Sequence, residues 1–280
     1  VILIDVGYLT ARSRYIFRDL RTSHGTPMGA IYGFLCAIDQ IRRACPNEPI
    51  KVCFDSYSQW RVGLLSQYKA TRESRQEGWF GSDKQLQHAF EKDSIKKLLP
   101  HIDGVTVVEA EGAEADDLIG IFAKAYPGSI IFSADKDMWQ LTQYGAKITS
   151  KIQKGKLVFT ECPPEFTQMP PQNLALYRAI MGDNSDGIPK IPKVFAKEVQ
   201  QMAMQCSTPE ELLTCNKFND TKSFGQIEEY REQLLVNYEV CKLPPNRNYT
   251  IVEPPKVSLA DARETLDLLD LNSMKRLIKY

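Results

Sequence analysis

Histidine is scarce in this chain, three among 280 residues, and its seven cysteines are widely spaced with no C-x-x-C pair. That pattern excludes a zinc site and a disulfide framework, and it reads as the thiol usage of a reducing, intracellular compartment. No run of about 18 apolar residues occurs, so no transmembrane helix is expected. The early apolar residues alternate with polar ones, unlike a secretory signal. Repeats and low-complexity tracts are also missing. So is an excess of either charge: 35 Lys and Arg face 35 Asp and Glu. A neutral balance argues at first sight against a nucleic-acid partner, because such domains are usually basic.

What is there is a chain of ordinary apolar content, 43%, long enough for one large domain or a core with an appendage. Short apolar runs alternate with helical patterns in the first half: VILID (1–5), a helix over 27–44, KVCFD (51–55), GVTVVEA (104–110), a helix over 117–126 and SIIFSADKD (129–137). Strands that alternate with helices in this way predict a mostly parallel α/β sheet. AKITSKI and KLVFTEC, joined across Gln153-Lys154-Gly155, predict an edge hairpin. From Pro170 onwards the pattern is helical, including a long helix over 227–243 that breaks near Asn237. These patterns divide the chain into an α/β core over 1–168 and a helical region over 169–280.

The apolar runs end in acid. Asp5 and Asp55 close two of them, Asp135 and Asp137 a third, and GVTVVEA leads into EGAEADDLIG with Glu114, Asp116 and Asp117. Asp183 and Asp186 follow in MGDNSDGIP. Each has a plain explanation. Acids favour helix N-termini, where the macrodipole and free N–H groups welcome them, and D-N-S-D-G is rich in turn formers. Open parallel sheets, however, gather the ends of their strands along one edge, where ligands bind. Nine acids on that edge would raise one another's pKa values and cost stability unless compensated. Oxygen ligands without His or Cys point to Mg²⁺ or Mn²⁺. Two such ions roughly 4 Å apart hold the attacking and leaving oxygens of a phosphodiester. With the nine acids set aside, the remaining residues carry a net charge of about +9, which suits a polyanion. Lys69, Arg72 and Arg75, then Lys151, Lys154 and Lys156, then Lys190, Lys193 and Lys197 form local basic stripes; each also reads as a solvated face.

Taken together, VILIDVGYLTARSRYIF, HGTPMGAIYGF, KVCFDS, YKATR, GAEADDLIG, SADKDMWQL, YRAIMGDNSDGIP and NYEVCKL resemble the flap endonuclease/5′-3′ exonuclease family, and especially the 5′-nuclease domain of bacterial DNA polymerase I and its bacteriophage relatives. The resemblance covers essentially the whole chain. It implies a PIN-like 5′-nuclease fold: a mostly parallel sheet flanked by helices, with a helix–three-turn–helix element in the helical region. It implies one metal held by Asp5, Asp55, Glu114 and Asp116, and another by Asp116, Asp117, Asp135, Asp137, Asp183 and Asp186. Lys69 and Arg72 match the family's basic pair at the foot of a helical arch (about 69–95), where they would grip the scissile phosphate. Tyr68 would lie beside them, stacking on a base or simply packed. Trp79 and Phe80 would meet the 5′ strand passing the arch. Lys190, Lys193 and Phe195 stand where the family carries a glycine-rich hairpin, which speaks against a K⁺ site there. Lys190, Lys193 and Lys197 would then hold duplex DNA by direct charge.

The function implied is 5′-3′ exonuclease and flap-endonuclease hydrolysis of DNA with Mg²⁺, Mn²⁺ being a substitute. Removal of RNA primers from RNA–DNA hybrids is an alternative with the same chemistry. A non-catalytic nucleic-acid-binding module is a second alternative; gaps among the nine acids would be its signature, and none occurs. A small-molecule phosphohydrolase is a third, and it leaves the basic helical half unexplained. The expected partners are DNA with a 5′ flap or end and a DNA polymerase in trans, with no membrane and a monomeric chain.

Overall fold

The computed structural model describes residues 1–70, 82–254 and 256–278. Strand β1 (Ile2–Asp5) runs straight into helix α1 (Val6–Ile16), followed by α2 (Gly29–Ala44), β2 (Ile50–Cys53) and the short α3 (Gln59–Leu64). Then come α4 (Ser82–Leu98), β3 (Val105–Val108), α5 (Ala115–Ala125), β4 (Ile130–Phe132), a 3₁₀ segment (Lys136–Tyr144), β5 (Lys147–Gln153) and β6 (Lys156–Phe159). The six strands form one sheet in the order β3-β2-β1-β4-β5-β6. The first five are parallel and β6 is antiparallel to β5. The β5–β6 connection is tight because Lys154 and Gly155 both take positive φ, 49° and 72°. Two such residues give the turn whose twist matches a hairpin.

Alternation along β1 sorts the core onto the two faces of the sheet. Ile2 and Ile4 pack with α2 and with Ile95 and Leu98 of α4. Leu3 packs on the opposite side with Leu118, Ile119 and Ala123 of α5. The order of strands reverses at β1, whose neighbours β2 and β4 lie on either side. The carboxyl ends of β1, β2 and β4 therefore border one crevice, the place where open parallel sheets bind ligands.

A second hydrophobic cluster belongs to the helices α6 (Leu174–Met181), α7 (Ala196–Ala203), α8 (Pro209–Leu213), α9 (Lys222–Glu229) and α10 (Arg231–Cys241). The long helix expected over 227–243 is two helices that meet at Tyr230. Asn237 does not break α10: it is fully buried there, and its amide donates to the carbonyls of Ala179 and Pro189, both at 2.8 Å.

The helical region does not run to the end of the chain, as the 169–280 division supposes. At Leu243 the chain returns to the sheet: the N–H of Leu243 donates to Gln140 Oε1 and that of Glu111 to the Thr250 carbonyl. The last helix, α11 (Leu259–Leu268), buries Ala262 and Leu266 in the same cluster as Ile2 and Ile4. A helical body over about 169–242 is thus inserted between two parts of the sheet layer. Within the span expected for the arch, α4 is described; Arg72, Arg75, Trp79 and Phe80 lie outside the described residues.

Candidate active site

Asp5 is both the last residue of β1 and the N-cap of α1. Its Oδ1 accepts the N–H of Tyr8 at 2.9 Å and its Oδ2 accepts the Ser133 hydroxyl, just past β4, at 3.0 Å. Asp55, two residues beyond β2, accepts the N–H of Ala115 at the start of α5 at 2.9 Å. Gly7 lies against both carboxylates: a Cβ there would stand 3.2 Å from Asp55 Oδ2 and 3.3 Å from Asp5 Oδ1. The missing side chain lets the two strand-end acids approach over bare backbone.

Crowding and burial raise the proton affinity of Asp5 and Asp116. Burial, and then the charge of Asp55, push Asp5 up to about 6. Asp116 is raised well above the usual carboxylate value by burial and by Asp135, Asp5 and Asp55, with Lys69 opposing. Asp135 closes a local turn by accepting the N–H of Asp137 at 2.8 Å.

A second group lies where the helical body meets the sheet. Asp135, Asp137, Asp183 and Asp186, with Ser185, line a cleft of about 300 Å³ whose wall includes Arg178 of α6. Arg178 Nε donates to Asp137 at 2.9 Å and Nη1 lies 3.3 Å from Asp183. Burial still dominates at Asp137, which rises to about 6 with Asp135 and Asp186 adding to it. Asp183 goes the other way: the Ser185 hydroxyl and N–H, with Arg178, outweigh its desolvation and lower it.

The two groups are joined through Lys69. Its Nζ donates to Glu114 at 2.8 Å, and its own backbone N–H donates to the Asp186 carbonyl at 2.8 Å. Lys69 holds φ at 54°, a left-handed conformation costly for a residue with a side chain. The turn that imposes it is packed close: at Gly187 a Cβ would stand 2.2 Å from the Gln67 carbonyl. D-N-S-D-G thus serves twice, supplying Asp183 and Asp186 and clamping Lys69 beside the acids. Glu114, Asp186 and Asp116 outweigh burial and keep the Lys69 ammonium firmly protonated.

One expectation needs correction, and one open alternative, that of Tyr68, is decided. Asp117 does not face the other acids. It is fully buried, receives Arg61 through two hydrogen bonds of 2.8 and 2.6 Å, and accepts the Tyr249 hydroxyl and the Glu114 N–H, each at 3.0 Å. Successive residues on a helix point about 100° apart, so Asp116 and Asp117 serve different neighbours. Tyr68 is 7% exposed and donates its hydroxyl to Glu114 at 2.8 Å, so its ring is packed and not open to a base. Lys190, Lys193 and Lys197 are exposed on the helical body, away from the acids' hydrogen bonds. Lys193 takes φ 56°, the glycine-like conformation that a tight hairpin demands, despite its side chain.

Among the described residues, no three Asp, Glu, His or Cys side chains close into a finished cation cage. Repulsion among Asp5, Asp55 and Asp116, and the pairing of Glu114 and Asp137 with Lys69 and Arg178, account for that spread. The donor set nevertheless fits hard divalent cations: it is carboxylates alone, and burial with neighbouring acids raises the proton affinity of Asp5, Asp116 and Asp137. Sequence reasoning missed Arg61, Arg178, Ser133 and Tyr249. None stands in an acidic motif or at a spacing from one that marks it.

The family model described as "5'-3' exonuclease, N-terminal resolvase-like domain" matches residues 1–163. A 5′-3′ exonuclease of Buchnera aphidicola is 30% identical over 258 residues, which span 87% of this chain and 86% of that one. DNA polymerase I of Pseudomonas aeruginosa is 27% identical over 256 residues, again 87% of this chain but 27% of the polymerase. A bacteriophage T5 flap endonuclease, solved as a pseudo-enzyme–product complex with DNA and metal ions, shares the fold with a TM-score of 0.66 at 14% identity, over 100% of this chain and 99% of that one.

Proposed function

The chain belongs to the 5′-3′ exonuclease family, and from that premise we infer that it is a divalent-metal-dependent nuclease that hydrolyses DNA phosphodiester bonds at 5′ ends and 5′ flaps. The observation that carries the reading at residue level is the acid crevice at the ends of β1, β2 and β4, with Lys69 clamped at its rim. Asp5, Asp55, Glu114 and Asp116 would hold one ion, and Asp116, Asp135, Asp137, Asp183 and Asp186 the other. When bound, such ions neutralise charge on the attacking and leaving oxygens of a phosphodiester. Mg²⁺ is the physiological choice for an all-oxygen set, and Mn²⁺ substitutes.

The chain's own groups do the rest. Lys69 stays protonated and presents a fixed ammonium to the scissile phosphate, where charge builds during in-line displacement. Arg72, three residues on, joins it in the same role. Tyr68 and Lys69 each donate to one oxygen of Glu114, so that carboxylate is oriented before any substrate arrives. Lys190, Lys193 and Lys197 on the helical body meet the duplex phosphates, and the lysines at the hairpin replace a K⁺ site. The protein acts on DNA inside the cell as a monomer.

Cleavage of an end-labelled duplex bearing a 5′ single-stranded flap tests this, with Mg²⁺ or EDTA, for wild type and Asp116→Ala. Mg²⁺-dependent cutting near the junction, lost in the variant, is expected. Tight flap binding without cutting by the wild type would replace the nuclease with a binding module. The same duplex with an RNA 5′ segment measures how far primer removal shares the site.

A further inference from the structure

Directly behind Glu114 lies an ion pair closed off from solvent. Asp117 is 0% exposed and Arg61 2%. Their two hydrogen bonds are fork to fork, the strongest geometry for such a pair. Both side chains have further partners. Asp117 Oδ2 also accepts the Tyr249 hydroxyl and the Glu114 N–H. Arg61 gives Nε to the Val240 carbonyl at 3.2 Å, and its Nη1 lies 3.4 Å from Glu114 Oε2. The guanidinium also stands 4.3 Å from the ring centre of Trp60, over which Arg247 lies at 4.2 Å.

Burying two charges is expensive, and an apolar pair of like size often stabilises as well. Such a pair is explained better by what it positions. Here it collects four separate parts of the chain: Arg61 from α3, Asp117 from α5, Val240 from the end of α10, and Tyr249 from the segment returning to the sheet. Val240 and Tyr249 hold the pair, and the pair in turn touches Glu114, whose side chain also holds Lys69. Asp117 already accepts four hydrogen bonds, three of them at Oδ2, and Arg61 covers both of its oxygens.

We propose that Asp117, with Arg61 and Tyr249, is a positioning residue that sets Glu114 and through it Lys69, and is a ligand of neither divalent ion. The pair couples the seating of the helical body and the return segment to the geometry of the acid crevice. This inference rests on the nuclease reading for its kinetic consequences. Its metal-binding and unfolding consequences stand apart from that reading.

The test uses the full chain with four changes: Asp117→Asn, Arg61→Met, the two combined, and Tyr249→Phe, which removes one hydroxyl and spares the ion pair. Calorimetric titration with Mn²⁺ counts bound ions, denaturant unfolding reports folding, and flap cleavage separates kcat from KM. Asp117→Asn should bind as many Mn²⁺ ions as wild type. Partners that orient a ligand cost about 10- to 100-fold in metal affinity or activity, so kcat should fall by that much at nearly unchanged KM for DNA. Arg61→Met should do the same, and the double variant should be no worse than either single one, because both remove one device. Tyr249→Phe should lower kcat several-fold while its unfolding curve shows a folded protein. Loss of a whole Mn²⁺ equivalent in Asp117→Asn, multiplying effects in the double variant, or unchanged kcat in Tyr249→Phe would each overturn the proposal. Were the wild type to cut nothing, the nuclease reading would fall. The ion count and the non-additivity of unfolding would still decide the role of Asp117.

Discussion

The two flanks of the acid crevice are neutralised in opposite ways. On the side of α3, Glu114 and Asp117 are met by Lys69, Arg61 and Tyr hydroxyls, and Glu114 is held below the usual carboxylate range because Lys69 and Arg61 outweigh its desolvation. On the strand-end side, Asp5 and Asp116 have hydroxyl and backbone donors or one distant lysine, and both are pushed up by burial and by neighbouring acids. On one flank the protein supplies its own cations, Lys69 and Arg61. The other is left short of positive charge, and that shortage marks where a bound cation is needed. Proximity of carboxylates by itself does not mark the site: Asp116 and Asp117 are adjacent in sequence and fall on opposite sides of this division.

The largest test of the comparison is Asp116→Asn. It should reduce Mg²⁺-dependent flap cleavage by on the order of a thousandfold while raising the stability of the metal-free protein at neutral pH, measured by thermal unfolding in EDTA. Loss of both activity and stability would mean that the strand-end flank is not electrostatically strained. Lys69→Met follows, with cleavage reduced by about 10²- to 10³-fold. This variant, unlike the first, should destabilise the fold, because it takes from Glu114 the cation hydrogen-bonded to it and leaves Arg61 at 3.4 Å and the Tyr68 hydroxyl; calorimetric melting reads that difference in sign.

A smaller effect is the pH dependence of the metal-free protein. Asp5 and Asp137 have folded-state values raised to about 6, so between about pH 4 and 6 the folded chain binds more protons than the unfolded one. Stability therefore falls as pH rises through that window, by about 1–3 kcal/mol, and Mg²⁺ should abolish the fall. Denaturant midpoints at pH 5 and 7.5, with and without Mg²⁺, check it; a midpoint that rises with pH would break the comparison. The smallest expected change is that of Lys190, Lys193 and Lys197 converted together to Ala. Duplex binding should weaken several-fold and its salt slope should flatten by about three phosphate contacts, with metal binding untouched.

The acids themselves were legible because strand ends in a parallel sheet share one edge, so apolar runs ending in Asp can be placed without coordinates. The arrangement of Asp116 and Asp117 was not. EGAEADDLIG supports both a helix N-terminus and a metal site, and the fold divides the two roles by residue: Asp117 accepts the Glu114 N–H at the helix start, and Asp116 lies among the strand-end acids. Arg61 and Arg178 were invisible for a different reason. A lone arginine on a helix reads as solvated surface until its tertiary neighbours are known. The return of residues 243–278 to the sheet was hidden likewise, because the helical periodicity of 260–271 gives a buried face but not the surface it meets.

The sequence by itself determined the alternation of strands and helices, the edge hairpin, the identity of the acids and the all-oxygen chemistry they offer. These follow from local periodicity and from residue type. Tertiary structure alone decided which acids are already paired, how the 182–187 turn strains Lys69, and that the helical body is an insertion into the sheet layer. Each of those depends on groups dozens to more than a hundred residues apart being brought to within hydrogen-bonding distance, and no local pattern encodes such a meeting.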